Sequence, residues 1–338
     1  SVAMNIITNQ AKKQVDFEII ENPNPKNVQE GTVARGSATC PVCGYTTPVK
    51  SVRAQLKKRH GGGAFARMFC VVTTRPDEKG RFYRLPCQRD IEAVEKATLE
   101  LERRKREWNG EISLVPDEPT PFGGGSGAGR ALSQRNYGMD RWEDSYTPRQ
   151  ALELITFVEK HRNNEFLQEG KFPKDFVEAL NSFISCAIDR EAEHSTSLCR
   201  WNASGQKMQA MFGRPAISMV WDFCETNPFG GSVGSFETML NLVLIPFETV
   251  LSLNHPGHVE KGSAIKCILP NDSSNCYFSD PPYYDAIPYS DLSDFFYVWL
   301  KRSWLNLPNN LFKNQLTPKD DECIVDEIKG KEKSYFEI

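Results

Sequence analysis

Two adjacent prolines, Pro281 and Pro282, restrict one short stretch of this chain more than any other feature of its sequence. Asp280 precedes them, Tyr283 follows them, and the mostly apolar run Cys276–Ser279 leads into them. A proline fixes its own φ at about −65° and disfavours the helical region for the residue before it, so few conformations are open to these four residues. The pattern predicts a strand that ends at Asp280 and a rigid loop after it. A purely structural Pro-Pro turn is the alternative interpretation.

The residue types of this loop suit the activation of an exocyclic amine. Such an amine is a poor nucleophile because its lone pair is delocalised into the ring. The carboxylate of Asp280 and the carbonyl of Pro281 would accept its two N–H bonds as charge develops in the transition state. Pro282 would help to hold these acceptors in place, and Tyr283 would stack on a base swung out of the helix. These four residues are the predicted catalytic residues.

The segment after the loop predicts a base pocket and a helix. Tyr284 and Tyr289 are predicted to bind the base. Ser290 is a favoured N-cap residue, and Lys301 and Arg302 suit the C-terminal end of a helix. Three aromatic residues between these ends recur at helical spacing, which indicates core packing: Phe295, Phe296 and Trp299.

The stretch Asp280–Asp285, followed by Ser290–Tyr297, resembles the adenine-specific DNA methylases that contain a zinc ribbon, the DUF1156-domain proteins. Other stretches fit the same family: Tyr137–Met139 with Trp142, Tyr146–Gln150, Ser195–Trp201, Met219–Phe223 and Asn227–Phe229. The resemblance extends from about residue 31 to residue 302. It implies an α/β fold with a Rossmann-like methyltransferase portion, S-adenosylmethionine as the cofactor, and double-stranded DNA with a flipped adenine as the substrate.

The resemblance further implies that the chain is a piece of a longer enzyme. In that family the glycine-rich turn that holds S-adenosylmethionine lies upstream of the zinc ribbon, so we expect the donor-binding part of the same protein to be missing here. Rossmann-type methyltransferases often carry a Gly-Asp-Ala turn beside the donor, and Gly262-Ser263-Ala264 stands in that position without the acid. Ser263 is nevertheless a predicted donor contact, on a strand and turn beside the motif strand.

Two other glycine-rich stretches lie upstream of the loop. Asn227–Gly234 follows an apolar run and precedes an apolar helix predicted from about residue 236 to residue 251. It is the closer of the two to a donor motif, and a turn between helices is the alternative. The predicted donor contacts in it are Asn227, Phe229 and Gly230. Phe122–Gly129 follows a proline-rich segment without a strand, which favours a flexible linker.

Cys40 and Cys43, with Gly44 after them, are spaced as in a zinc knuckle. Tetrahedral zinc needs four ligands, and the chain has no second Cys-x-x-Cys pair. The resemblance implies a further cysteine pair just upstream, so Cys40 and Cys43 are predicted as half of a zinc site. A turn with free thiols is the alternative. Ten cysteines, only two of them closely spaced, indicate a reducing compartment.

Positive charge is local in this chain, whose net charge is −3. The stretch from Lys50 to Arg67 holds six lysines and arginines and no acid. Phosphate contacts are predicted within it, with a solvated surface as the alternative: Lys57, Lys58 and Arg59. Arg103–Arg106 is a further basic run, at the end of a charged helix. The polar stretch from His194 to Asn202 is predicted to line a substrate cleft, with Trp201 stacking on a base and Arg200 meeting a phosphate. A loop that is packed by its one tryptophan is the alternative.

Four regions are predicted. Residues 1–88 form a small β-rich, zinc-ribbon-like unit, and residues 89–136 a charged helix and a Pro/Gly linker. Residues 137–255 form a mainly helical substrate-recognition region, and residues 256–338 an α/β catalytic portion. Strands are predicted at 15–20, 45–49, 68–74 and 81–85, and helices at about 90–108, 148–162 and 173–193. Thr147 is the predicted N-cap of the second helix, with Pro148 at its first position. No apolar run is as long as a membrane span and no signal-peptide pattern is present, which predicts a cytoplasmic protein without a membrane partner.

The predicted function is S-adenosylmethionine-dependent methylation of adenine N6 in DNA, with proteins of a restriction or defence system as expected partners. Two alternatives stay open. The same tetrapeptide pattern serves RNA guanine methylation, so the chain could act on an RNA base. The second alternative is a non-catalytic zinc-ribbon subunit that binds DNA.

Overall fold

A computed structural model describes residues 2–24, 26, 28–125, 127–165, 170–250, 257–259, 262, 269–304 and 311–331. The first part of the chain consists mostly of short antiparallel strands. They are β1 (Val2–Asn9), β2 (Gln14–Glu21), β3 (Val33–Ala34), β4 (Ser37–Thr39), β5 (Thr46–Thr47), β6 (Val71–Arg75) and β7 (Glu78–Arg84). The pairs β1–β2 and β6–β7 are hairpins, β3–β4–β5 is a small sheet, and the helix α1 (Val49–Lys57) follows β5.

The predicted strands agree with this part only approximately. Those predicted at 15–20, 68–74 and 81–85 correspond to β2, β6 and β7. The strand predicted from Tyr45 to Val49 is wrong beyond Thr47, because Pro48 takes the N-cap position and α1 begins at Val49. Neither β1 nor α1 was predicted. The apolar pattern of α1 is a weak signal, because Val52 is the one residue that this helix buries.

Helices dominate the rest of the described chain. They are α2 (Gln88–Glu107), α3 (Pro148–Arg162), α4 (Lys174–His194), α5 (Phe236–Val250) and α6 (Tyr289–Ser303), with the hairpin β8 (Arg200–Asn202) and β9 (Lys207–Gln209) between α4 and α5. The predicted helices are confirmed to within one or two residues at each end. At the start of α3, Thr147 Oγ1 accepts a hydrogen bond from the Gln150 N–H and the Gln150 side chain accepts one from the Thr147 N–H, which is a capping box. Within the described ranges, no helix combines the length and the apolar content that a bilayer crossing requires.

The hydrophobic core lies where α3, α4 and α6 meet the irregular segment from residue 114 to residue 146. Phe295 and Trp299 of α6 are fully buried, and Phe296 packs partly buried against the same cluster, so their predicted core role is confirmed. The rings of Trp142 and Phe295 meet edge to face with centroids 5.6 Å apart, a favoured geometry for aromatic pairs. This core fixes the helix that follows the Pro-Pro loop.

A buried ion pair ties the end of α6 to the segment before α3. Nη1 of Arg302 donates to Oε1 of Glu118 at 3.0 Å, and both side chains are almost inaccessible to solvent. Nε of Arg302 also donates to the carbonyl of Ser113 at 2.9 Å. A guanidinium buried in this way needs such partners, because its hydration is lost. Arg302 therefore does more than complement the helix dipole.

The predicted strand at Cys276–Ser279 is wrong for this structure. These residues form no strand, and Tyr277 and Phe278 are 81% and 91% exposed. Most of the neighbouring strand and turn predicted at 258–264, Ser263 included, lies outside the described residues. In the described part of the chain, strand pairs are antiparallel, apart from one isolated parallel bridge between Leu132 and Ile217. The sheet of a Rossmann-like portion is therefore not formed by the residues described.

The stretch Phe122–Gly129, predicted as a flexible linker, is packed against other segments at Gly123 and at residues 127–129, whereas Phe122, Gly124 and Gly125 are exposed. Ala128 is fully buried, and its N–H donates to the carbonyl of Val325 at 3.2 Å. A Cβ atom on Gly123 would lie 1.7 Å from the carbonyl oxygen of Leu132. The linker prediction is wrong because the glycines allow close approach between backbones, and do not supply flexibility.

Candidate functional site

The Pro-Pro loop lies open on the surface and is held at its C-terminal side. Asp280, Pro281 and Pro282 are exposed, and Asp280 makes no hydrogen bond or ion pair with any described residue. The Tyr283 N–H donates to the hydroxyl of Tyr289 at 3.2 Å. One residue later, the carbonyl of Tyr284 accepts a hydrogen bond from the Val325 N–H at 2.7 Å. The acid of the loop is thus free to meet a ligand, while the end of the loop is fixed.

The three tyrosines near the loop have different roles in this structure. Tyr283 is 60% exposed, so its ring is accessible to a stacking partner, and Tyr284 is 42% exposed. Tyr289 is the first residue of α6, and its hydroxyl holds the backbone of Tyr283. Tyr289 therefore supports the loop as well as lying beside it.

The side chain of Glu322, and not that of Ser290, accepts a hydrogen bond from the backbone at the N-terminus of α6. The N-cap position belongs to Pro288, and Ser290 is already inside the helix. The Ser290 N–H donates to Oε1 of Glu322 at 2.8 Å, and the Ser290 hydroxyl donates to Oε2 of the same side chain. The predicted cap is wrong because a carboxylate 32 residues away occupies the place of a local side chain, which sequence spacing does not reveal.

A large cleft of about 2580 Å³ lies between the β6–β7 hairpin, α2, α3 and the segment from residue 200 to residue 233. It brings together five predicted site residues: Arg200, Trp201, Asn227, Phe229 and Gly230. Asp280 and the three residues after it are not part of its lining. The structure therefore unites the predicted residues around Trp201 and Asn227, but does not join them to the Pro-Pro loop.

Trp201 and Arg200 are positioned in this cleft by the β8–β9 hairpin. The Trp201 ring meets Tyr83 of β7 edge to face, with centroids 6.3 Å apart. Nε of Arg200 donates to Oε1 of Gln209 at 2.8 Å, and its side chain is exposed. An aromatic residue and a cationic residue that line the same cleft suit the binding of single-stranded nucleic acid.

The polar residues just before β8 do not line the cleft, contrary to the prediction. Ser195, Thr196 and Ser197 are fully or almost fully buried. The hydroxyls of Thr196 and Ser197 both donate to the carbonyl of Ser145 at 2.9 Å. These hydroxyls are used to join the end of α4 to the residues before α3, so they are structural.

Asn227–Gly230 forms a tight turn at the cleft wall. The Phe229 N–H donates to Oδ1 of Asn227 at 3.1 Å, and the Gly230 N–H donates to the Asn227 carbonyl at 2.9 Å. The Asn227 side chain is therefore used within the turn, and the Phe229 ring is 84% exposed. Ser263, the other predicted donor contact, lies outside the described residues. The described residues do not complete a site for S-adenosylmethionine next to Asp280.

A pair of acids beside the cleft escaped the sequence analysis. Glu153 of α3 lines the cleft and accepts a hydrogen bond from the Ser195 hydroxyl at 3.1 Å. Burial raises the pKa of Glu153, and burial followed by the charge of Glu153 raises the pKa of Glu191, which is fully buried on α4. Because both pKa values are raised, the neutral form of each carboxyl is favoured, which relieves their repulsion. The signal in the sequence was that Glu191 stands three residues after Ile188, on the buried face of α4.

Cys40 and Cys43 lie in the turn between β4 and β5. The Gly44 N–H donates to the Cys40 carbonyl at 2.8 Å and closes this turn. Hydrogen bonds from the backbone of Cys43, then from that of Val42, lower the pKa of the Cys40 thiol. Such N–H donors suit a thiolate ligand, so the turn fits two of the four zinc ligands. No group of three or more potential ligands occurs among the described residues.

The predicted phosphate contacts are exposed at the end of α1. Lys57, Lys58 and Arg59 all face solvent, and the guanidinium of Arg59 lies 5.7 Å from the ring centroid of Phe65. By contrast, most residues of the basic run at the end of α2 form ion pairs with acidic side chains. Arg104 pairs with Glu100 and Glu159, and its neighbours Arg103 and Lys105 also pair with acids. The end of α1 is therefore the better surface for an anion.

Comparison of the chain with protein-family models, with curated proteins and with solved structures gives no significant match.

Proposed function

We propose that this chain carries the catalytic loop of an S-adenosylmethionine-dependent DNA methyltransferase that modifies adenine N6. One observation carries the proposal: Asp280 is exposed and has no partner among the described residues, on a loop whose prolines and C-terminal anchor limit its motion. The residue types of the loop and their resemblance to zinc-ribbon adenine methylases supply the reaction class.

The loop residues would act on the amine and on the base. The Asp280 carboxylate and the Pro281 carbonyl accept the two N–H groups of the amine, which favours a pyramidal nitrogen with a free lone pair. Pro282 restricts the conformation of Pro281 and so the direction of its carbonyl. Tyr283, with its ring open to solvent, stacks on the flipped adenine, and Tyr284 extends this surface.

S-adenosylmethionine would supply the methyl group. The described residues around Asp280 do not fit it, because the Asn227–Gly230 turn and the Pro-Pro loop do not share a cleft. We therefore assign donor binding to residues outside the described set, Ser263 among them, and to the upstream part of the protein that the resemblance implies.

Two exposed features would hold the DNA. The end of α1 offers Lys57, Lys58 and Arg59 to phosphates, in a sequence-independent contact. The cleft offers Trp201 and Arg200 to an unpaired stretch next to the flipped base. A zinc ion held in part by Cys40 and Cys43 would order the small β unit and take no part in methyl transfer.

A labelled-methyl assay tests this function. The chain, joined to the upstream part that the resemblance implies, is incubated with S-adenosylmethionine carrying a labelled methyl group and with adenine-containing duplex DNA, and donor binding is measured in parallel by calorimetry. We expect label in N6-methyladenine and its loss in Asp280→Ala. Asp285→Ala is the matched control, because Asp285 is an exposed acid of the same segment and is expected to keep the activity.

A second candidate, a DNA-binding module without catalysis, is favoured by the separation of the cleft from the loop. In the same experiment it predicts no bound donor and no label, but salt-sensitive binding of DNA that weakens in a Lys57→Ala, Lys58→Ala, Arg59→Ala variant. Label in RNA guanine instead of DNA adenine would keep the role of the loop and change the substrate.

A further inference from the structure

One short segment near the C-terminal side of the chain contacts both the Pro-Pro loop and the helix after it. We name this segment, residues 322–331, the strap. The N–H of Val325 donates to the Tyr284 carbonyl at 2.7 Å, and the carbonyl of Val325 accepts from the Ala128 N–H at 3.2 Å. Val325 is 2% exposed, so these bonds are shielded from water. The end of the loop is thereby joined to a buried backbone.

The strap also contacts the first turn of α6. Glu322 accepts a hydrogen bond from the Ser290 N–H at 2.8 Å. Nζ of Lys329 bonds to Oδ2 of Asp291 and lies 3.2 Å from Oδ2 of Asp326. The loop and the start of α6 are consecutive in the chain, and both are attached to the strap.

Lys329 carries the charge on which this arrangement depends. Asp291 and Asp326 are each 1% exposed, and a buried carboxylate is stable only when it is paired or hydrogen-bonded. Lys329 pairs with both, across the junction between the strap and α6. Without its ammonium group, both buried carboxylates would lose an ion-pair partner, although Oδ1 of Asp326 would still accept a hydrogen bond from the Ile328 N–H. The strap would then hold α6 through Glu322 alone, and Val325 would be held less firmly against Tyr284.

We propose that the strap sets the position of the loop Asp280–Tyr283, and that Lys329 is a positioning residue for the chemistry of that loop. This inference rests on the proposed function. It states that Lys329 helps to position the Asp280 carboxylate, which Lys329 does not contact. The strap acts through three attachments: the Val325–Tyr284 hydrogen bond, the Glu322–Ser290 hydrogen bonds and the ion pairs of Lys329.

Backbone hydrogen exchange, read by mass spectrometry, tests the positioning directly. Lys329→Met is compared with the unaltered chain at peptides that cover residues 283–286 and 322–326, whose protected amides include those of Tyr283 and Val325. We expect exchange there to become at least about tenfold faster, while exchange in α3 is unchanged. Lys329→Arg should restore protection, and Lys313→Met, at an exposed lysine of the same part of the chain, should have no effect.

Unchanged exchange at residues 283–286 in a folded Lys329→Met variant would overturn the proposal. If that variant does not fold, Asp291→Asn gives the same test, because it removes one ion pair and keeps the side-chain volume. Where the chain transfers methyl groups, Lys329→Met should lower kcat at unchanged donor affinity. If the protein that includes the upstream part transfers none, the proposed function fails, while the exchange result still decides the role of the strap.

Discussion

The indole nitrogen of Trp299 donates a 2.7 Å hydrogen bond to the phenolic oxygen of Tyr146, and both residues are buried. The contact joins α6 to the residue before the capping box of α3, 153 positions away. It places the helix that follows the Pro-Pro loop on the main core. Burial raises the pKa of Tyr146, which keeps its hydroxyl neutral.

Tyr146→Phe should destabilise the protein by about 1–3 kcal/mol, because the buried Trp299 N–H loses its acceptor. Urea unfolding followed by tryptophan fluorescence measures this loss. Tyr45→Phe removes a hydroxyl from a side chain that is 65% exposed, and should change stability by less than about 0.5 kcal/mol. Equal effects of the two substitutions would mean that the Trp299–Tyr146 bond contributes nothing.

Stability should fall as the pH rises from about 4.5 into the alkaline range, because of Glu153 and Glu191. Both have pKa values raised in the folded protein, so the folded state keeps protons that the unfolded state has released. Their contribution is greatest below the ordinary glutamate pKa and is lost as the pH passes the raised values. Asp189, whose pKa burial also raises, adds to the same slope.

Glu191→Gln removes the contribution of Glu191 to this proton uptake, so thermal unfolding between pH 5 and pH 9 should show a shallower slope and a higher Tm at pH 9. Glu178→Gln, at a side chain that is 45% exposed, is the control and should keep the original slope. A parallel slope in Glu191→Gln would contradict the raised pKa of Glu191.

Gly123→Ala should destabilise the protein by about 1–3 kcal/mol, the range for overpacking, because its Cβ would overlap the Leu132 carbonyl. Gly31→Ala is the matched control, since a Cβ there meets no atom within 4 Å. Chemical denaturation of the two variants measures the difference. Equal stability would restore the interpretation of residues 122–129 as a linker.

Iodoacetamide should modify Cys40 at lower pH than Cys224. Hydrogen bonds from the Cys43 and Val42 backbone lower the pKa of Cys40, whereas burial raises that of Cys224 to about 12. Peptide mass spectrometry across a pH series gives the half-modification pH of each thiol. Cys43→Ala keeps the backbone N–H groups and should leave Cys40 reactive. A half-modification pH for Cys40 above the ordinary thiol value of about 8.5 would count against a zinc-ready turn.

Local signals in the sequence predicted the helices well, because caps and apolar spacing act within a few residues. Thr147 and Pro148 marked the start of α3 correctly for this reason. The Glu322 cap on α6 and the Glu153–Glu191 pair join residues more than 30 positions apart, so no local pattern could reveal the partners. The linker prediction for Phe122–Gly129 was misleading because glycine occurs both in flexible segments and where two backbones approach closely.

The sequence predicted the residue types at the Pro-Pro loop, but not what surrounds it. The strand predicted before the loop requires a neighbouring strand to pair with, and the described residues supply none at Cys276–Ser279. Trp201 and Asn227 were predicted for separate roles and line one cleft. Their proximity follows from the packing of the β8–β9 hairpin, which the secondary-structure propensities of the residues do not predict.

The contact of Val325 with both Tyr284 and Ala128 has a consequence for how the chain folds. Val325 is about 40 residues from Tyr284 and about 200 residues from Ala128 along the chain. Contacts between residues so far apart in sequence form slowly compared with helices. During synthesis the Pro-Pro loop leaves the ribosome before the strap that holds it. The helices can form early, whereas the loop becomes ordered only in a late step, after residue 325 has reached its two partners.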